Sequence, residues 1–113
     1  MPKIVLCKVY SLIRIKTILE IVDKCIRNLG FNPIKIDKRA NKIYMIGTNG
    51  NTKLTTILGR YNDTIDRLGR SIMRIPRIKV TVLIEPKEPD LNELKDKLET
   101  YLFREIAKRR MGG

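Results

Sequence analysis

Residues 42 to 75 read KIYMIGTNGNTKLTTILGRYNDTIDRLGRSIMRI, and two periods compete in them. Read in twos, residues 42–46 and 51–59 are strands around Asn49-Gly50, the dipeptide that favours a two-residue type I′ hairpin turn. That turn sets Met45 opposite Leu54, Ile43 opposite Thr56 and Tyr44 opposite Thr55. Read at 3.6, the residues Leu54, Ile57, Leu58, Tyr61, Ile65, Leu68, Ile72 and Ile75 form an unbroken helical stripe. Adjacent Thr55 and Thr56, Gly59 and the pair Asn62-Asp63 are poor in a helix interior. Residues 51–59 are therefore expected as a strand, with a helix as the alternative. Both readings agree on a helix from Asp63 to Ile75, opened by Asp63 and Asp66 as a capping-box variant and ended by Pro76.

Outward from this stretch the signals are plainer. Residues 2–10 are β-branched and apolar with little polar alternation, as in a strand flanked by neighbours. Ile15, Ile18, Leu19, Val22, Cys25, Ile26 and Leu29 then follow helical spacing over roughly 12–29, and Gly30 supplies a left-handed stop. Glu20 precedes Lys24, and Asp23 precedes Arg27, at the four-residue spacing of helix ion pairs, which marks a solvated face. Ile34 and Ile36 alternate with Lys35 and Asp37, then Lys38-Arg39-Ala40-Asn41 makes a basic hairpin tip. Residues 77–85 alternate as a strand, Pro86 to Pro89 read as a rigid linker, and Asp90 with Glu93 forms a capping box. The last helix buries Leu91, Leu94, Leu98, Tyr101, Leu102 and Ile106, ahead of a short basic tail at about 108–113.

The order β-α-β-β-(β)-α-β-α follows. It predicts a single α+β domain over 1–113, a two-layer sandwich with helices on one face of a mostly antiparallel sheet. A helical 51–59 would instead give a ferredoxin-like β-α-β-β-α-β plan plus a C-terminal helix. In either plan one sheet face can stay open.

Charge narrows the function. The chain of 113 residues carries a net charge of +12 and no histidine. Residues 1–84 hold 17 Lys/Arg against 5 Asp/Glu, residues 85–103 hold 3 against 6, and residues 104–113 hold 4 against 1. A surface so basic points to a polyanion as partner. No apolar run approaches the roughly 20 residues of a membrane span, so an intracellular, cytoplasmic protein without a membrane partner is expected. Seventeen Ile, two Ala and no Gln suit an AT-rich genome, thermophilic or viral, although seven Asn residues pull against a thermophile. Cys7 and Cys25 read as small buried hydrophobes, with a disulfide conceivable only in a hyperthermophile.

Catalysis finds little footing, since clustered carboxylates, histidine and a phosphate-cradling loop are all missing. Gly47-Thr48-Asn49-Gly50 lacks the Lys-Ser/Thr of a P-loop. A non-enzyme without cofactor or metal is the expectation. The expected phosphate contacts are Lys35, Lys38, Arg39, Lys42 and Arg60, then Arg70, Arg74, Arg77 and Lys79, with Arg109 and Arg110 near the C-terminus. Tyr44 and Tyr61 are the candidates for base stacking.

From the first helix to the Asp63 helix, the α-β-β-β-α order resembles that of double-stranded RNA-binding domains, with Leu58-Gly59-Arg60 where that family enters its second helix. The family's lysine cluster at that point is replaced by Asn62-Asp63-Thr64. The resemblance implies backbone and shape readout of a duplex, and tips the expectation toward RNA over DNA. The chain is thus expected to be a small RNA- or DNA-binding protein, for example a ribonucleoprotein subunit. A regulatory or protein-interaction module, dimeric through the open sheet face or the last helix, is the competing reading.

Overall fold

Strand pairing runs through residues 42–49, 52–67 and 71–85. In a computed structural model the chain forms β1 (Lys3–Ser11), α1 (Ile15–Asn28), β2 (Asn32–Arg39), β3 (Lys42–Asn49), β4 (Thr52–Arg67), β5 (Ser71–Glu85) and α2 (Leu91–Met111). The structure describes residues 2–67, 71–85 and 90–111, the backbone alone over 61–67, 71–76 and 110–111. One five-stranded sheet has the order β1-β5-β4-β3-β2 with every neighbouring pair antiparallel. The fold is α+β, with the helices and the sheet sharing one core.

Residues 52–59 are strand, as the two-residue period predicts. The helix expected over 63–75 is not there: residues 61–67 and 71–76 continue β4 and β5, with Asp63 opposite Ile75 and Ile65 opposite Met73. Asp63 and Asp66 lie within a strand and cap nothing, and Pro76 lies inside β5 opposite Asn62. The residues that argued against a helix at 51–59 recur here, with Asn62-Asp63 and Thr64 at one end and Ser71 at the other. This removes the ferredoxin-like plan, which needs a helix between its third and fourth strands. It also removes the second helix on which the likeness to double-stranded RNA-binding domains depended.

The hairpins differ in detail from expectation. Asn49 pairs with Thr52, so the turn residues are Gly50 and Asn51, and Met45 faces Thr56 while Ile43 faces Leu58. That shifts partners by two and leaves every side chain on its expected face. Gly50 has φ +61° and Asn51 does not share a positive φ, a glycine-first turn of type II′ rather than I′. The β2–β3 turn is Ala40-Asn41, between paired Arg39 and Lys42.

The core lies between one face of the sheet and the helices. From α1 come Ile18, Ile21, Val22, Cys25 and Ile26, and from α2 Leu98, Leu102 and Ile106; these meet Leu6, Met45, Leu54, Leu58, Val80, Val82 and Ile84 of the sheet. Gly30 ends α1 with φ +94°, and the Glu93 N–H donates to Asp90 Oδ1 at 2.9 Å at the start of α2. Both helix boundaries match their sequence signals. The Pro86–Pro89 linker lies outside the described residues.

β1 is an edge strand rather than a flanked one, which leaves Ile4 64% and Val9 39% exposed. Cys7 is exposed on the face away from the helices and Cys25 is buried among them, both as free thiols. Cys7 is thus not the buried hydrophobe the sequence suggested, and the sheet separates it from Cys25. No helix among the described residues is long and apolar enough to cross a membrane.

Candidate nucleic-acid interface

Antiparallel order brings five separate segments to one end of the molecule. There β1 finishes, α1 begins, β2 turns into β3 at Ala40-Asn41, and β4 and β5 pass beyond the sheet. The backbone N–H of Arg60 donates to the Asn41 carbonyl at 3.0 Å, tying the β2–β3 turn to the base of the β4–β5 pair.

Two open grooves lie at this end. One, of about 430 Å³, is lined by Leu12, Ile13, Arg14, Ile15, Lys16, Arg60, Arg77 and Ile78. The other, of about 520 Å³, is lined by Ile15, Lys16, Leu19, Glu20, Lys38, Ala40, Asn41, Lys42, Ile43 and Arg60. Ile15, Lys16 and Arg60 belong to both and form the wall between them.

Six cations therefore converge from different elements: Arg14, Lys16, Lys38, Lys42, Arg60 and Arg77. Among the described residues Glu20 is the single carboxylate in either lining, and Arg109 Nη1 lies 3.8 Å from Glu20 Oε2. None of Arg14, Lys16, Lys38, Lys42 or Arg60 forms an ion pair with a described residue. Cations at a protein surface usually find partners where partners are near. These face water and have charge to give to an anion.

Helix α1 adds to the field in an unusual way. Its N-cap residue is Arg14, which makes no side-chain cap, and no acidic residue stands in its first turn. A helix N-terminus carries a partial positive charge and normally attracts Asp, Glu or a capping Ser or Thr. Here Arg14 and Lys16 reinforce that charge instead. Backbone strain falls in the same place: Leu12 at φ +59° and Ala40 at φ +42° are the only described non-glycine residues with positive φ, and each lines one groove.

The remaining expected contacts are spread elsewhere. Lys35, Arg39 and Lys79 lie on the face of the sheet opposite the helices, where Arg39 pairs with Asp37 at 2.9 Å and stands 5.8 Å over the Tyr44 ring. That engagement leaves Tyr44 covered by a guanidinium rather than clear for stacking. Arg74 is paired opposite Thr64 in the extension of β5, and Arg110 is in the last turns of α2. Arg70 and the side chains of Arg74, Arg110 and Tyr61 lie outside the described residues. Sequence reasoning missed Arg14 and Lys16. Of the two ion pairs expected on the solvated face of the first helix, Asp23–Arg27 forms at 3.1 Å, whereas Glu20 faces Arg109.

Glu85, Asp90 and Glu93, from the acidic segment 85–103, lie toward the other end. Glu85 pairs with Lys53 at 3.0 Å and Glu93 with Lys97 at 3.0 Å, beside the start of α2. Each of those carboxylates is matched by a lysine, whereas the groove cations outnumber the one carboxylate among their described lining residues. Comparison with protein families and with curated proteins gives no match.

Proposed function

We propose that this chain is a small, non-catalytic nucleic-acid-binding protein that holds the phosphate backbone in the two grooves around Lys16 and Arg60. The observation that supports it best is the convergence of Arg14, Lys16, Lys38, Lys42, Arg60 and Arg77 around grooves whose described lining contains one carboxylate. Phosphates along a strand are spaced a few ångströms apart, so a track of cations from five segments suits them better than a single small anion. Lys35, Arg39 and Lys79 extend basic character onto the sheet face, and Arg109 extends it to the end of α2.

A titration against nucleic acid at two salt concentrations tests this reading. Affinity should fall steeply between about 50 and 200 mM salt, with a log-log slope of several units from counterion release. Replacing Lys16, Lys38, Lys42 and Arg60 by Ser should reduce the slope by about 3 to 4, whereas Lys24 and Arg27 on the solvated side of α1 should matter little. Equal losses per charge from both sets would reduce the grooves to mere net charge.

The interaction-module reading retains one observation in its favour. Ile4 and Val9 are exposed on the helix-free face, Ile4 opposite half-buried Leu83 and Val9 opposite Lys79 on β5. Sedimentation of the free protein distinguishes the two: a dimer dissociated by Ile4→Lys but indifferent to the groove cations would favour association through the sheet.

A further inference from the structure

The sheet is flanked only part of the way along its longest hairpin. β3 pairs with β4 as far as Lys42 opposite Gly59, and β1 pairs with β5 as far as Ser11 opposite Arg77. Beyond these points β4 and β5 pair with each other alone, from Tyr61 opposite Arg77 to Arg67 opposite Ser71. The result is a two-stranded ribbon rising from the groove end of the molecule, and the chain as a whole measures 54 × 32 × 25 Å. At about 3.3 Å per residue, Tyr61 to Arg67 extends it by roughly 20 Å.

A ribbon of this kind has no sheet face to stabilise it, and an isolated two-stranded hairpin is marginal in water. Its sequence also departs from a conventional protein-docking strand, since residues 60–77 contain five arginines (Arg60, Arg67, Arg70, Arg74, Arg77) against Asp63 and Asp66. Two of those arginines, Arg60 and Arg77, stand at its foot in the cationic grooves. The ribbon thus rises from the cationic grooves with a net positive sequence of its own.

Resting on the nucleic-acid reading above, we infer that the β4–β5 ribbon enters the major groove of double-helical DNA while the grooves at its foot grip the flanking phosphates. Paired strands lie about 4.8 Å apart, and the roughly 12 Å major groove of B-form DNA admits a two-stranded ribbon. The major groove of A-form RNA is deep and too narrow to be read in this way. The partner class is thus duplex DNA, and arginine is the residue type whose paired N–H donors match the guanine edge exposed in that groove.

The test uses the full chain, a variant with Arg67, Arg70 and Arg74 changed to Ser, and one whose residues 62–76 are replaced by a two-residue Asn-Gly turn. Each is titrated against one sequence as duplex DNA, duplex RNA and single-stranded DNA, and the DNA complex is probed with dimethyl sulfate. The full chain should prefer duplex DNA and protect guanine N7, which lies in the major groove, leaving adenine N3 in the minor groove reactive. The triple variant should lose that protection and about two to three units of salt slope, while keeping groove-dependent binding to all three probes. Adenine N3 protection, preference for RNA, or undiminished DNA affinity without the ribbon would overturn the inference, and in the last case the phosphate-binding reading would stand. Should the ribbon instead hold two copies together, trimming it would turn a dimer into a monomer with unchanged DNA affinity, which also overturns it. Failure of the full chain to bind any of the three would instead remove the reading beneath it.

Discussion

Arg14→Ser should make the protein more stable and a poorer binder. Arg14 is exposed and occupies the N-cap of α1 with extended backbone (φ −76°, ψ 142°) and no side-chain cap. A serine there can accept a hydrogen bond from one of the unpaired N–H groups of the first turn, which contributes about 1 kcal/mol. Removing a cation from the positive end of the helix adds roughly 0.5 kcal/mol. At about 2.1 cal/mol/K per residue of unfolding entropy, the combined 1.5 kcal/mol raises the midpoint of a chain this size by about 6 °C. The same substitution takes one cation from the groove lined by Lys16, Arg60 and Arg77. One phosphate contact fewer lowers the salt slope by about 0.9, equivalent to roughly eightfold in affinity at 0.1 M salt. Thermal denaturation and a salt-titrated binding isotherm on one preparation measure both. A variant that gains stability and binds as before would refute the role given to this end of α1.

Ala40→Gly should stabilise the fold by about 1 kcal/mol in chemical denaturation, because Ala40 holds φ +42° and glycine takes that region without steric cost. No gain would mean the turn relaxes around alanine. Thr56 is fully buried and its hydroxyl has no hydrogen-bond partner, so the isosteric Thr56→Val should gain about 1 kcal/mol; a loss would reveal a bond made by that hydroxyl. Burial pushes the Cys25 thiol from 9.0 to about 12, and burial with Glu99 nearby pushes the Tyr10 phenol from 10.0 to about 12. Both folded values are raised, so their stabilisation is complete below pH 9 and is lost as pH climbs toward 12. The double variant Tyr10→Phe, Cys25→Val should flatten that alkaline decline, and an unchanged decline would place its cause elsewhere.

Much of this architecture was legible because half-burial writes a period into the sequence. Ile18, Val22, Cys25 and Ile26 in α1, and Leu98, Leu102 and Ile106 in α2, are core residues at helical spacing. Residues 77–85 alternate because β1 and β4 flank them and one face meets the helices. Past Gly59 and Arg77 that constraint ends. With no third strand beside the ribbon, nothing obliges its sequence to alternate, and the accidental spacing of Ile65, Leu68, Ile72 and Ile75 then reads as helix. The turn before it was misplaced by one residue for a smaller reason: Asn49-Gly50 and Gly50-Asn51 are both acceptable turn pairs, and only the partners across the strands decide between them.

The candidate site was legible in part, through the basic hairpin tip and Arg77. Arg14 and Lys16 were out of reach of a linear reading because β1 and β2 lie at opposite edges of the sheet, and only the path of α1 beneath it brings its N-terminus to the β2–β3 turn. A local signal did exist. α2 begins as stability requires, with Asp90 as cap and Glu93 in its first turn, whereas α1 begins with Arg14 and Lys16 against its own dipole. Gly30 and Gly50 fill two positions of positive φ, whereas Leu12 and Ala40 fill two others at a cost. A chain that follows these rules at one end and breaks three of them around two grooves at the other has its destabilising choices where anions would be held. That distribution is the one the proposed phosphate contacts would require.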